Sequence, residues 1–164
     1  MRNWDQIVRE HGPDVFRQVQ NILGQGPDVD DTVQEVFLEV FRLWEDRSVR
    51  NWGGLLNRIA TNRAIDLLRR RRTLPSMEDV DVPATGGCPL ELVIVKEAAE
   101  RLRRAICQLP DRQAEVFSLR YFADLSHAQI AEALEIDVGA VGTALHKARV
   151  KLESLLELKT EGAS

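Results

Sequence analysis

The sequence predicts an all-α fold in which two small helical domains are joined by a flexible linker. Apolar residues recur at intervals of three and four along most of the chain, which is the spacing of a helix face. Aromatic residues make up only 5% of the 164 residues, and the alternation typical of strands is nearly absent. Residues 74–92 carry three prolines and a glycine pair, a composition that opposes regular structure and marks the domain boundary.

Two helices are expected at the start of the chain, over residues 4–10 and 13–23. Gly12 and Pro13 mark the predicted break between them. Proline suits the first turn of a helix, where its missing N–H costs little. Together with the two helices predicted up to residue 73, this makes the N-terminal domain a four-helix bundle.

The third predicted helix, over residues 29–45, has an apolar and an acidic side. Asp30 or Asp31 is expected to cap it, with Gln34 completing a capping box. The apolar positions follow helical spacing and are assigned to the core: Val33, Val36, Phe37, Val40, Phe41 and Trp44. The opposite side is acidic but contains Leu38, which favours a docking surface over the alternative of plain solubility.

The fourth helix, predicted over residues 57–72 after a loop over residues 46–54, is strongly basic. From Arg58 to Arg72 it holds six arginines and one acid, although the net charge of the chain is −4. Such a ridge favours contact with phosphates, because counterion release drives binding to nucleic acid. The alternative is a solvated helix end whose arginines complement the helix dipole. Trp52, in the loop, is either a core anchor or a ring that stacks on an unpaired base.

Beyond the linker the sequence predicts a helix-turn-helix. Helices over residues 93–108 and 112–121 precede it. Ser126 and Gln129 form a capping box that opens a short helix, and Asp137 follows a three-residue turn to cap a longer one. This pattern is typical of DNA-binding domains, although such helix pairs also occur in proteins that never bind DNA.

Residues for catalysis, metal binding or membrane insertion are not evident. Cys88 and Cys107 lack a C-x-x-C partner, and the histidines show no ligand spacing, so no metal or cofactor is expected. Nucleophile elbows, phosphate-binding glycine loops and zinc-protease motifs are absent, so the protein is not expected to be an enzyme. Without a signal sequence or the roughly 20 apolar residues that span a bilayer, a cytoplasmic location is expected.

Three blocks follow one another along the chain: DVDDTVQEVFLEVFRLW, NWGGLLNRIATNRAIDLLRRRR and LPDRQAEVFSLRYFADLSHAQIAEALEIDVGAVGTALHKARVKL. In this order and spacing they closely resemble a bacterial RNA polymerase sigma factor of the sigma-70 family. The short length and two domains are similar to the extracytoplasmic function (ECF) group. The resemblance implies a region 2-like domain over residues 1–73, an acidic linker over 74–92, a region 4-like domain over 93–160 and a tail over 161–164.

The resemblance implies that core RNA polymerase is the main protein partner. The first domain would dock on the coiled coil of the polymerase β′ subunit through what we call the acidic face: Asp30, Asp31, Gln34, Glu35 and Leu38. The second domain would contact the β flap, and the linker would thread the core enzyme. An anti-sigma factor is a further expected partner.

Promoter DNA is the other implied partner. The minus-ten element would be recognised and opened by Trp52, Asn57, Arg58, Thr61, Asn62, Arg63, Arg69, Arg70, Arg71 and Arg72. The minus-thirty-five element would be contacted by Ser126, His127, Val138, Ala140, Thr143, His146, Lys147 and Arg149. Gly142 and Ala144 depart from the basic residues that family members often carry, so readout there is expected to be weak or to use DNA shape.

Two alternatives stay open at this point. One is a stand-alone helix-turn-helix regulator that binds duplex DNA without polymerase. The other is an adaptor that binds polymerase without reading a promoter, which the neutral start of the recognition helix allows. A footprint on DNA with and without core polymerase distinguishes the sigma factor, the stand-alone regulator and the adaptor.

Overall fold

A computed structural model describes residues 3–45, 48–73 and 90–161, and the regular structure in these ranges is entirely helical. The first unit contains α1 (Trp4–Leu23), α2 (Asp28–Arg42) and α3 (Trp52–Thr73). The second contains α4 (Leu90–Cys107), α5 (Asp111–Tyr121), α6 (His127–Leu134) and α7 (Val138–Glu161). The predicted all-α class is confirmed. Most of the predicted linker and the end of the tail lie outside the described residues, and α4 begins inside the last three linker positions.

The predicted break at Pro13 is wrong, because α1 runs through it as one helix. Proline inside a helix costs about 3 kcal/mol, since it removes a hydrogen bond and crowds the preceding turn. Four aliphatic side chains before and after it are at most 1% exposed: Ile7, Val15, Val19 and Ile22. Burying each contributes about 1.5–3 kcal/mol, so the continuous apolar stripe outweighs the proline. The first unit, as described, therefore has three helices and not the predicted four.

The predicted cap of α2 is also wrong. The helix begins at Asp28 after Pro27, and no side chain caps it. Asp30 and Asp31 lie in the first turn instead, where a negative charge is favourable next to the positive end of the helix dipole.

An aromatic cluster joins α1, α2 and the start of α3. The ring of Trp4 meets those of Phe41 and Trp44 edge-on, with centroids 5.0 and 5.4 Å apart. Trp44 in turn lies 5.0 Å from Trp52. Phe41 was predicted to be core but is 52% exposed, because it lies in the last turn of α2 at the rim of the cluster. The cluster contains all three tryptophans of the chain.

The position of α3 determines the architecture. It packs against α1 and α2 in the first unit and against α4, α5 and α6 in the second. One continuous buried cluster therefore runs through both units. The two predicted domains are in direct contact, with α3 between them.

Within the described ranges, no helix has the length and apolar content needed to cross a bilayer. The same residues contain no group of three or more His, Cys, Asp or Glu side chains able to hold a metal ion. Cys107 is a free, partly buried thiol, and Cys88 lies outside the described residues.

Candidate functional site

The acidic face is open to solvent along its whole length. All five of its residues are exposed, Leu38 at 59%. α2 turns this side outward because Val36 and Val40, on its other side, are fully buried. Glu35 lies 3.0 Å from Arg63, but the two side chains are 60% and 37% exposed, and such a surface pair contributes little to stability. The structure thus leaves free a negatively charged surface with an apolar residue in it.

α3 begins at Trp52, five residues earlier than predicted. The Oδ1 atom of Asn51 accepts a hydrogen bond from the backbone N–H of Gly54 at 2.9 Å, as an N-cap residue does. A Cβ at Gly54 would also lie 3.2 Å from the Cβ of Ala133 on α6. The glycine at position 54 therefore allows a close crossing between the two units.

Two of the residues predicted to contact the minus-ten element are buried in this structure. Trp52 is 9% exposed and packs on Trp44, which favours the core role that the sequence left open. Thr61 is fully buried, and its hydroxyl accepts a hydrogen bond from Nε2 of Gln18 at 2.8 Å. The reason is that both units cover α3. Six further predicted residues are partly buried: Asn57, Arg58, Asn62, Arg63, Arg69 and Arg71.

The arginines at the end of α3 do not form the free cationic ridge that the sequence predicted. Arg69 donates to Oδ1 of Asp111 at 2.5 Å and to the carbonyl of Leu109 at 2.9 Å. Arg72 donates to Oε1 of Glu100 at 2.6 Å. These two arginine side chains are 29% and 27% exposed. Both ion pairs join α3 to the second unit.

Arg71 stabilises the first unit through contacts with the end of α1 and the start of α2. It donates to the carbonyl of Leu23 at 3.1 Å and to Asp28 at 2.5 Å. Arg103 of α4 donates to the carbonyl of Ile22 at 3.1 Å, and burial lowers the pKa of its guanidinium. Two cations therefore satisfy the last carbonyls of α1, where the helix dipole favours positive charge.

Arg63, another predicted minus-ten residue, lies between two acids of α2. Its Nε donates to Glu39 at 2.6 Å and its Nη1 to Glu35 at 3.0 Å. This contact ties α3 to the helix that carries the acidic face. Arg70, two turns further along α3, is exposed.

Sequence reasoning missed a polar junction between the two units. Gln18 of α1 is 1% exposed and donates to the hydroxyl of Thr61 and, at 3.3 Å, to the carbonyl of Ser118 on α5. The available signal was a glutamine beside Val19 on the apolar stripe of α1. Glu100, Arg103 and Asp111 gave no comparable signal, because charged residues are common on helix surfaces.

The predicted helix-turn-helix is confirmed as α6, a turn over residues 135–137 and α7. The hydroxyl of Ser126 accepts from the N–H of Gln129 at 3.1 Å, and the Gln129 side chain accepts from the N–H of Ser126 at 2.8 Å. Glu135 adopts a left-handed conformation at φ 56°, which ends α6 and lets the chain reverse.

The side of α7 predicted to contact DNA points to solvent. We call this the recognition surface, and its residues are all exposed: Val138, Ala140, Thr143, His146, Lys147 and Arg149. The opposite side of α7 buries Val141 and Leu145. Arg149 donates to the hydroxyl of Tyr121 at 2.7 Å, and its guanidinium lies 5.4 Å from the centre of that ring. Ser126 is exposed and His127 is partly buried.

Known proteins resemble both units. Residues 7–73 match the family description "Sigma-70 region 2", and residues 99–152 match "Sigma-70, region 4". The ECF RNA polymerase sigma factor SigE of Mycolicibacterium smegmatis is 32% identical over 95% of this chain, which spans 62% of that protein. SigW of Bacillus subtilis, also an ECF sigma factor, is 28% identical over 92% of this chain and 87% of its own. The solved structure of CnrH in complex with the cytosolic domain of CnrY has a TM-score of 0.65 at 25% identity, covering 94% of this chain and 88% of CnrH.

Proposed function

Because this chain belongs to the sigma-70 family and resembles its ECF group throughout, we propose that it is a transcription initiation factor. It binds core RNA polymerase, directs the enzyme to specific promoters and helps to melt them. The role is non-catalytic and is carried out in the cytoplasm.

The main support for this proposal is that two exposed surfaces of different charge lie on separate helices. One suits docking on polymerase and the other suits contact with DNA. The acidic face of α2 is exposed, negatively charged and partly apolar. The recognition surface of α7 is exposed and contains Lys147 and Arg149. Surfaces of opposite charge suit partners of opposite charge, since complementary potentials steer association.

In this proposal the acidic face docks on the β′ coiled coil, and the second unit also contacts the β flap. The face of α3 that carries Arg58, Asn62 and Arg69 to Arg72 contacts the minus-ten element. Opening a base pair requires donors and stacking surfaces close to the strand that is separated. Trp52 contributes indirectly, by fixing the start of α3 to the aromatic cluster.

The recognition surface contacts the minus-thirty-five element mainly through the DNA backbone. Lys147 and Arg149 supply phosphate contacts, which position a protein without specifying sequence. Thr143 donates its hydroxyl hydrogen to the carbonyl of Gly139 at 3.0 Å, so its oxygen is left to accept from a base. With glycine at position 142, discrimination at this element depends largely on DNA shape.

We also propose that a protein regulator binds this chain. CnrH, a structural relative, is in complex with the cytosolic domain of CnrY, and the resemblance implies an anti-sigma factor. A regulator of this kind would act by blocking the surfaces described above.

A footprint on genomic promoter fragments, with and without purified core polymerase, tests the proposed function. Protection that requires the core enzyme supports an initiation factor. Protection by the chain alone would indicate a stand-alone regulator, and polymerase binding without any protected site would indicate an adaptor.

A further inference from the structure

The start of the recognition surface is apolar. Val138, the first residue of α7, is 52% exposed, and Ala140 is exposed as well. Gly139 and Gly142 carry no side chain, and a Cβ added at either would touch no other helix of the described chain within 4 Å. The first two turns of α7 therefore present a branched apolar side chain beside uncovered backbone.

Thr143 adds a second apolar group to these turns. Its side chain is exposed, and its hydroxyl donates to the carbonyl of Gly139 at 3.0 Å. This bond to the preceding turn holds the side chain in one rotamer and gives its methyl group a fixed position. At 3.6 residues per turn, Gly139 and Gly142 lie between Val138 and Thr143 around the helix. The two methyl-bearing side chains thus flank an open strip of backbone.

Side chains that read purines by paired hydrogen bonds are missing from these turns. Arginine and lysine recognise guanine in this way, and asparagine and glutamine recognise adenine, but none of them occurs in residues 138–145. The hydroxyl hydrogen of Thr143 is already donated within the helix. In the major groove, the group that suits an apolar surface is the C5 methyl of thymine. Lys147 and Arg149 follow two turns later and suit phosphates.

We propose that the recognition surface reads thymine directly: Val138 and the methyl group of Thr143 contact C5 methyl groups in the minus-thirty-five element. Such contacts are favourable because they remove apolar area from water. The glycines between the two side chains allow a close approach, since nothing there holds the helix away from the bases. This inference rests on the proposed function and adds a direct base contact to the readout of DNA shape.

The test replaces single thymines by deoxyuridine in the promoter fragment that gives the strongest core-dependent footprint. Each replacement, on either strand of the upstream half, removes one C5 methyl and keeps the hydrogen-bonding edge of the base. Competition binding measures the affinity of holoenzyme for each duplex. At least one replacement should weaken binding roughly four-fold, the contribution of one buried methyl group.

Holoenzyme that binds every substituted duplex as well as the original would overturn the reading of thymine. The footprint with core polymerase would persist in that case, so the proposed function would stand. Loss of the footprint itself is the separate result that overturns the proposed function.

A double variant, Val138→Ser with Thr143→Ser, identifies the protein side of the contact. At a sensitive thymine its deoxyuridine penalty should fall below about two-fold, because the methyl group has lost its apolar partner. A penalty that is equal in wild type and double variant would arise from altered DNA shape and would overturn direct reading. The matched control is Val150→Ser, since Val150 is also 52% exposed on α7 but lies three turns away. This control should keep the four-fold penalty, and circular dichroism verifies the folding of each variant.

The methyl group and the hydroxyl of Thr143 can be separated by two single substitutions. Thr143→Ser removes only the methyl group, whereas Thr143→Val keeps a methyl group and removes the hydroxyl. At one sensitive thymine the deoxyuridine penalty should be lost with serine and kept with valine. The opposite pattern would show that Thr143 acts through its hydroxyl and would overturn its part in the proposal.

Discussion

The recognition surface of α7 and the end of α3 are both basic helix faces proposed to contact DNA, yet the structure treats them differently. The recognition surface points to solvent. Arg69 and Arg72 of α3 instead bind carboxylates 42 and 28 residues further along the chain. A run of arginines thus predicts an anionic partner, but the partner in the free chain is a protein carboxylate. The covered and the open surfaces should respond differently to mutation.

The largest effect is expected at a surface that is already open. Reversing charge with Asp31→Lys and Glu35→Lys should weaken binding to core polymerase by roughly a hundred-fold, because like charges would then face the partner. Biolayer interferometry with immobilised core enzyme measures this. The matched control, Glu153→Lys with Glu157→Lys, should bind normally, and equal affinity for both variants would show that the acidic face is merely solvated.

Removing two cations from each DNA surface sharpens the comparison. One double variant combines Arg69→Ala with Arg72→Ala, and the other combines Lys147→Ala with Arg149→Ala. In each, the log–log slope of holoenzyme–promoter affinity against salt should fall by about two, as expected for two lost phosphate contacts. Only the α3 pair should also expand the free chain in small-angle X-ray scattering. A slope that stays at the wild-type value for the α3 pair would refute its phosphate role.

Alkylation of Cys107 reports on the contact between the two units, with a smaller expected effect. Burial raises the pKa of its thiol, although the neighbouring Arg72 acts in the opposite direction. A raised pKa leaves less thiolate at pH 8, and thiolate is the form that maleimide attacks. With Cys88 replaced by serine, the Asp111→Asn change, which leaves the nearby charge of Glu100 in place, should speed alkylation of Cys107 roughly five-fold. Identical alkylation rates with and without Asp111→Asn would show that this substitution does not open the contact between the two units.

The smallest effect is expected for the hydroxyl that holds Arg149. Tyr121→Phe keeps the ring and its cation–π contact but removes the acceptor of the 2.7 Å hydrogen bond. Holoenzyme affinity for a promoter should fall about two- to three-fold, in line with the loss of one positioning contact, while the thermal midpoint stays the same. A larger loss for Tyr121→Phe than for Arg149→Ala would show that the tyrosine acts through something other than the arginine.

The sequence was sufficient where local signals determine structure. The capping box of Ser126 and Gln129 placed α6 and the turn correctly, since its bonds span three residues. The break predicted at Pro13 was wrong because burial of apolar side chains along the whole of α1 outweighs the local effect of the proline. The loop predicted over residues 46–54 ended too late, because α3 already begins at Trp52 and Gly54 lies in a close helix crossing.

The exposed sites were predictable from helical spacing, whereas the covered one was not. Spacing alone places Leu38 among acids and Thr143 opposite Val141. The burial of Thr61 depends on Gln18 and on Ser118, which is 100 residues from that glutamine. Contacts across such a separation follow from how two units dock, and no periodicity within one helix encodes that.

The aromatic cluster of the first unit has a spectroscopic consequence. Since Trp4, Trp44 and Trp52 all belong to it, indole emission reports mainly on the packing of the first unit. Ellipticity at 222 nm reports on every helix. Denaturant unfolding curves followed by the two signals will coincide only if both units unfold together. An unlabelled sample is therefore enough to show whether the two units unfold cooperatively.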